Sequence, residues 1–146
     1  SKEQLAREFG ATDFVDASDG DVWKKVLSMT AGGVDHAFEA IGLTATAEDA
    51  FRMLRRRGIA TIIGMIPVGQ KLSLNGYEFL KEKQIRGSFM GSNQFPIDIP
   101  RIVDFYMSGR LKLDEMISRR IRLDQVNEAF AEMESGAIAR SVITFD

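Results

Sequence analysis

Three segments of this chain carry an apolar run into a glycine: Ala40-Ile41-Gly42, Ile63-Gly64-Met65 and Ser88-Phe89-Met90-Gly91. Glycine lets a ligand or a neighbouring backbone come close, and Ile41 and Ile63 would supply apolar walls. The combination suits an adenine ring, a ribose and a nicotinamide amide, held by backbone amides and flat apolar contacts rather than by charge. Strand-end glycines are commonly no more than turns, so the argument rests on their recurrence in three successive units.

Acid–base and metal chemistry are poorly supplied. The one histidine, His36, falls inside a segment that reads as a buried strand, and nothing beside it forms a base–nucleophile pair, so it reads as structural. Glu39 ends the same segment. A carboxylate there hydrogen-bonds the following loop, with a catalytic role as the alternative. No cysteine is present, which excludes disulfides and a Cys/His zinc site built from this chain. No G-x-G-x-x-G follows a strand and no G-x-x-x-x-G-K-[ST] occurs, so the pyrophosphate cradle of a dinucleotide domain is missing. The acidic residue that chooses between NAD and its phosphorylated form is missing with it. The pattern is that of the second half of such a domain.

Elements that would position these turns are legible. Leu5, Ala6, Phe9 and Ala11 predict a short helix ended by Gly10, and residues 13–16 a brief strand. Asp19 is placed to cap a helix carrying Val22, Val26, Leu27 and Met29, stopped by Gly32-Gly33. Residues 34–38 read as a strand. Thr44 or Thr46 opens a helix with Ala47, Ala50, Phe51 and Leu54 on one face, closed by Arg55, Arg56, Arg57 and Gly58. Cations in a last turn favour the macrodipole, so these arginines read as a solvated cap. Residues 59–63 have the β-branched continuity of a strand covered on both faces. A turn at Pro67-Val68-Gly69, a short helix at 77–81 and a strand at 85–89 follow. Beyond these come a helix from Ile97 to a stop at Gly109, a strand over 117–123, a helix capped by Asp124 and ended by Ser135-Gly136, and a strand over 141–145. This order predicts an α/β fold, a partial Rossmann-type doubly wound parallel sheet (residues 1–89) with a C-terminal helix/strand appendage (90–146).

Composition sets bounds. With 146 residues, 45% hydrophobic and 27% charged, the chain can bury one core or one small domain with an appendage. Its net charge of −2 offers no basic face for nucleic acid. The uncharged run 59–68 is far short of the roughly 20 residues that span a bilayer. A cytoplasmic protein without a membrane partner is expected. Because the chain opens on helix-forming sequence rather than methionine, a piece of a longer protein is expected too.

Taken together, Phe9-Gly10-Ala11-Thr12, Gly32-Gly33-Val34-Asp35, Phe38-Glu39-Ala40-Ile41-Gly42, Gly58 with Ile62-Ile63-Gly64, and Ser135-Gly136 with Arg140-Ser141-Val142-Ile143-Thr144-Phe145 resemble the C-terminal part of a zinc-containing alcohol dehydrogenase of the medium-chain family. Single pieces are modest signals; their order and spacing are specific. The resemblance implies the later strands of an NAD(P)-binding Rossmann domain, followed by the returning part of the catalytic domain. It assigns Ala40 and Ile41 to the adenosine side, Ile63, Gly64 and Met65 to a nicotinamide wall, and Ser88, Phe89 and Met90 to carboxamide contacts. Arg140 would reach the pyrophosphate, where a planar guanidinium bonds phosphate bidentately, and Lys2 would stand near the adenosine ribose. Leu43 stands where the family often has an arginine, so cation stacking on the adenine is not carried over. The cofactor would be NAD(H) or NADP(H), with NAD favoured, and the zinc ligands and proton relay would lie outside this chain. The implied substrate is a small alcohol or aldehyde, including a thiol–formaldehyde adduct, and the implied assembly a homodimer or tetramer joined near residues 75–87. A zinc-free quinone reductase of the same superfamily and a non-catalytic nucleotide-binding domain are the alternatives.

Overall fold

The computed structural model describes residues 2–135, 138 and 140–145, and for Asp19 the backbone alone. It divides into two compact units, Ser1–Asn93 and Gln94–Asp146, beside a sequence division at 89/90. In the first unit, α1 (Lys2–Glu8) ends at Gly10, whose φ of 97° turns the chain so that Ala11 N–H donates to the Ala6 carbonyl at 3.0 Å. Then come α2 (Val22–Met29), β1 (Val34–Glu39), α3 (Thr44–Arg52), β2 (Leu54–Ile62), a 3-10 turn (Gly76–Lys81) and β3 (Gln84–Gly87). The three strands form one parallel sheet in the order β1-β2-β3, with Ala37 opposite Ala60 and Ala60 opposite Ile85. This is an α/β fold of the Rossmann-like kind.

The core lies between the sheet and α3. Ala37, Ala50, Phe51, Leu54 and Ala60 are buried together, ringed by Val34, Met53, Leu74 and Ile85. Alanine at 37, 47, 50 and 60 leaves the helix room to approach the sheet, and the Phe51 ring then reaches across to Phe79, centroid to centroid 5.0 Å.

The second unit contains α4 (Phe95–Met107), β4 (Arg119–Ile121), α5 (Val126–Glu134) and β5 (Ser141–Ile143), with β4 and β5 parallel. Arg119 is held by Glu132 of α5 at 2.6 Å, which fixes that helix to the strand. The glycine expected to stop α5, Gly136, lies outside the described residues. No described helix is long and apolar enough to cross a membrane.

Several local expectations are corrected. Residues 13–16 form no strand, because no described strand lies beside them to complete a ladder. Asp21 rather than Asp19 occupies the cap position of α2, with φ 40° and no capping hydrogen bond from its side chain. Thr44 opens α3 as expected, and the cap position before it is Leu43, which makes no side-chain capping bond. The arginines do not close α3; they belong to β2, where Arg55 pairs with Asp35 and Arg57 with Glu82 at 3.0 Å. Partners distant in sequence have displaced the macrodipole explanation. Residues 55–58 stand opposite the single Asp35, a large bulge, after which pairing resumes at His36↔Ile59.

His36 is exposed rather than buried, and Phe38 is 68% exposed, because both alternate with Ala37 and Glu39 and point away from α3. Coverage on both faces, expected for residues 59–63, holds at mid-strand, where Ala60 and Thr61 on opposite faces of β2 are both buried, and fails at Ile63, which is 48% exposed.

Candidate functional site

Parallel strands present their carboxyl ends along one edge, and the three glycine turns lie on it in strand order. The ladder continues past each strand. Ile63 and Gly64 N–H donate to the Glu39 carbonyl at 2.7 and 3.1 Å, and Ser88 N–H donates to the Ile62 carbonyl at 2.9 Å. Thus the structure brings together Ala40 and Ile41, then Ile63, Gly64 and Met65, then Ser88, Phe89 and Met90.

The first two turns touch backbone to backbone. A Cβ at Gly64 would stand 2.2 Å from the Gly42 nitrogen, and one at Gly42 would stand 2.7 Å from the Met65 carbonyl oxygen. Gly42 also has φ 93°, in the left-handed region that glycine accepts freely. What the edge offers to solvent is apolar: Ile41, Ile63, Met65, Phe89 and Met90 are all exposed. Five such side chains over three adjacent turns form the kind of surface that covers a flat ring. Ser88 is half-buried, its hydroxyl 3.2 Å from that of Ser92.

Glu39 takes the hydrogen-bonding role. Its Oε1 accepts from Ile41 N–H, Gly42 N–H and the Thr46 hydroxyl, each at 2.8 Å, doing for the start of α3 what Leu43 cannot. Burial pushes the carboxyl upward, but the bonds from Gly42, the Thr46 hydroxyl, Ile41 and Leu43 outweigh it and hold the group below the usual carboxylate range. Glu39 is therefore ionised at neutral pH. Its second oxygen, Oε2, is buried without a hydrogen-bond partner. The reach of this carboxylate across to Thr46 was not visible in the sequence; an acidic residue at a strand end, seven positions before a helix threonine, was its only signal.

Two predicted residues, Lys2 and Arg140, remain. Lys2 is exposed at the start of α1. Arg140 belongs to the second unit, where its backbone is tied to Ser118 and its side chain is exposed. Among the described residues no group of three or more His, Cys, Asp or Glu comes together to hold a metal ion. The residues at the strand ends fit the flat faces of a nucleotide, whereas zinc finds no ligand set here.

The family model described as zinc-binding dehydrogenase matches residues 1–106. Alcohol dehydrogenase class-3 of Drosophila melanogaster is 33% identical over 149 residues, covering 99% of this chain and 39% of that protein. Among solved structures, an alcohol dehydrogenase zinc-binding domain protein from Burkholderia ambifaria superposes with a TM-score of 0.90 at 29% identity, over 98% of this chain and 39% of that one. A zinc-binding dehydrogenase from Sinorhizobium meliloti 1021, crystallised with NADP, gives 0.84 at 30% identity, over 99% and 42%. The chain spans about two fifths of the length of the curated relatives it matches. With the model matched over most of its length, and with parallel strands and glycine turns in the order the resemblance implied, the chain belongs to the zinc-binding dehydrogenase family.

Proposed function

We propose that the carboxyl edge of β1, β2 and β3 is the adenosine and nicotinamide wall of an alcohol dehydrogenase that uses NAD(H), or less favourably NADP(H). The observation that carries this reading is the meeting of the three turns, with Ile41, Ile63, Met65, Phe89 and Met90 facing solvent beside them. A nicotinamide cofactor would supply the hydride chemistry when bound, and a zinc ion, for which the described residues assemble no ligand set, would polarise the alcohol oxygen. This chain's residues do the positioning. Ile41 packs an adenine face, Ile63 and Met65 the nicotinamide ring, and the amides at 88–90 its carboxamide. Arg140 provides charge for the pyrophosphate. A related protein holding NADP supports a nucleotide cofactor.

The expected result is saturable binding of NADH to the 146-residue chain, weakened by Ile41→Asp or Ile63→Asp and read by NADH fluorescence. Absence of any binding by the parent sequence sinks the reading. In the same preparation, zinc with short alcohols is expected to give no NADH, since the described residues assemble no metal site; measurable turnover would overturn that part.

The proposed assembly is a homodimer or tetramer in the cytoplasm. Among the described residues β3 pairs with β2 alone and is an edge that a second copy could extend. Light scattering is expected to report a dimer, and a monomer at every concentration counts against it.

A further inference from the structure

Glu39 uses its two ends on two different turns. Its main-chain carbonyl receives Ile63 N–H and Gly64 N–H, which belong to the turn after β2. Its carboxylate receives Ile41 N–H, Gly42 N–H and the Thr46 hydroxyl, which belong to its own turn and to α3. Glu39 is only 3% exposed, so it is not placed to touch a ligand directly. The turns are also in hard contact: the missing Cβ of Gly64 would fall 2.2 Å from the Gly42 nitrogen and 2.6 Å from Glu39 Oε2. Displacing residues 41–42 therefore moves them against or away from Gly64, and the carboxylate is what sets their position.

We propose that Glu39 is a positioning residue that fixes the turn at 40–42 and the turn at 63–65 relative to one another, and so sets the spacing of the two cofactor walls. The proposal's meaning for the cofactor rests on the reading given under Proposed function; the coupling of the turns does not. Oε1 accepts the three short bonds from Ile41, Gly42 and Thr46, while no described group comes within hydrogen-bond geometry of Oε2. The negative charge is shared by both oxygens and strengthens the bonds that Oε1 accepts, so it is the acceptor at Oε1 that sets the turn. A glutamine can supply that oxygen and place its amide where Oε2 lies, whereas an alanine supplies nothing.

The test is amide hydrogen exchange by NMR on the 146-residue chain and its Glu39→Gln, Glu39→Ala and Thr46→Val variants, with NADH titrated into the same samples. In Glu39→Ala the amides of Ile41 and Gly42 are expected to exchange roughly tenfold faster, about the worth of one net hydrogen bond. Those of Ile63 and Gly64 are expected to follow by several-fold, although their own acceptor, the carbonyl of residue 39, is still present. Glu39→Gln, which keeps a neutral acceptor oxygen, should accelerate all four amides by clearly less than Glu39→Ala does. Acceleration confined to residues 41 and 42, or an equal effect of glutamine and alanine, overturns the proposal. The Ala60 amide in mid-strand reports general unfolding. If it accelerates as well, the decision passes to Thr46→Val, which removes one donor from Oε1; a graded rise at all four turn amides then supports the coupling, and a rise at residues 41 and 42 alone overturns it. NADH affinity should fall about tenfold in Glu39→Ala and by clearly less in Glu39→Gln. If the parent chain binds no NADH, the cofactor reading fails while the exchange pattern still decides the coupling.

Discussion

Gly64→Ala is expected to destabilise the first unit by about 3 kcal/mol, the upper part of the usual range for forcing atoms into a packed site. The added methyl would sit 2.2 Å from the Gly42 nitrogen and 2.7 Å from its α-carbon, both backbone, with Glu39 Oε2 at 2.6 Å. A flexible side chain could swing aside; two backbone turns joined by the Glu39 bonds cannot do so without breaking them. The strain is one of contact, since Gly64 is not among the residues with positive φ. Gly87→Ala makes the matched control. It lies in β3 with nothing within 4 Å of where an added methyl would stand and without a positive φ, so a change within about 0.5 kcal/mol is expected. Urea titration of the two variants separates the outcomes, and equal midpoints would show that the turns do not bear on one another.

Phe51→Ala is expected to cost about 3–5 kcal/mol, the usual penalty for deleting a buried aromatic ring. Phe51 is 1% exposed and occupies the centre of the core, touching β1, β2 and the Phe79 ring, with the Lys83 ammonium 5.8 Å from its centroid. The alanines around it have no longer side chain with which to close the gap. Small domains hold only about 5–15 kcal/mol in total, so such a loss removes a large share of the margin that keeps the first unit folded. The observable is a urea midpoint shifted strongly downward at unchanged slope. Loss of cooperativity would instead mean that α3 detaches from a sheet that persists.

Much of the fold and site was legible because it rests on short-range rules. Gly10 after an amphipathic run gives the end of α1, and the β-branched stretch before Gly64 gives β2 and the turn that follows. What escaped depends on partners far away in the chain. Three arginines after an apolar helix face look like a C-terminal cap; in the fold they belong to β2, and Arg55 and Arg57 meet Asp35 and Glu82 from other parts of the chain. The alternation Asp35-His36-Ala37-Phe38-Glu39 states that two faces differ but not which one a helix covers; here α3 covers the alanine and glutamate side, leaving His36 and Phe38 outside. Glu39 itself runs against the rule that carboxylates stay in water, and the donors that permit it come from a turn and a helix that must already be in place.

The bulge in β2 divides that strand into two parts with different freedom. Before Ile59 the chain accommodates three surplus residues against Asp35, whereas from Ile59 to Ile62 it keeps strict step with His36 to Glu39. A change of length on the first side can be taken up in the loop of arginines at the sheet's far end. The same change on the second side would slide Gly64 past Gly42 and exchange inward for outward side chains. A change of length is therefore tolerated only a few residues from a stretch whose register cannot shift.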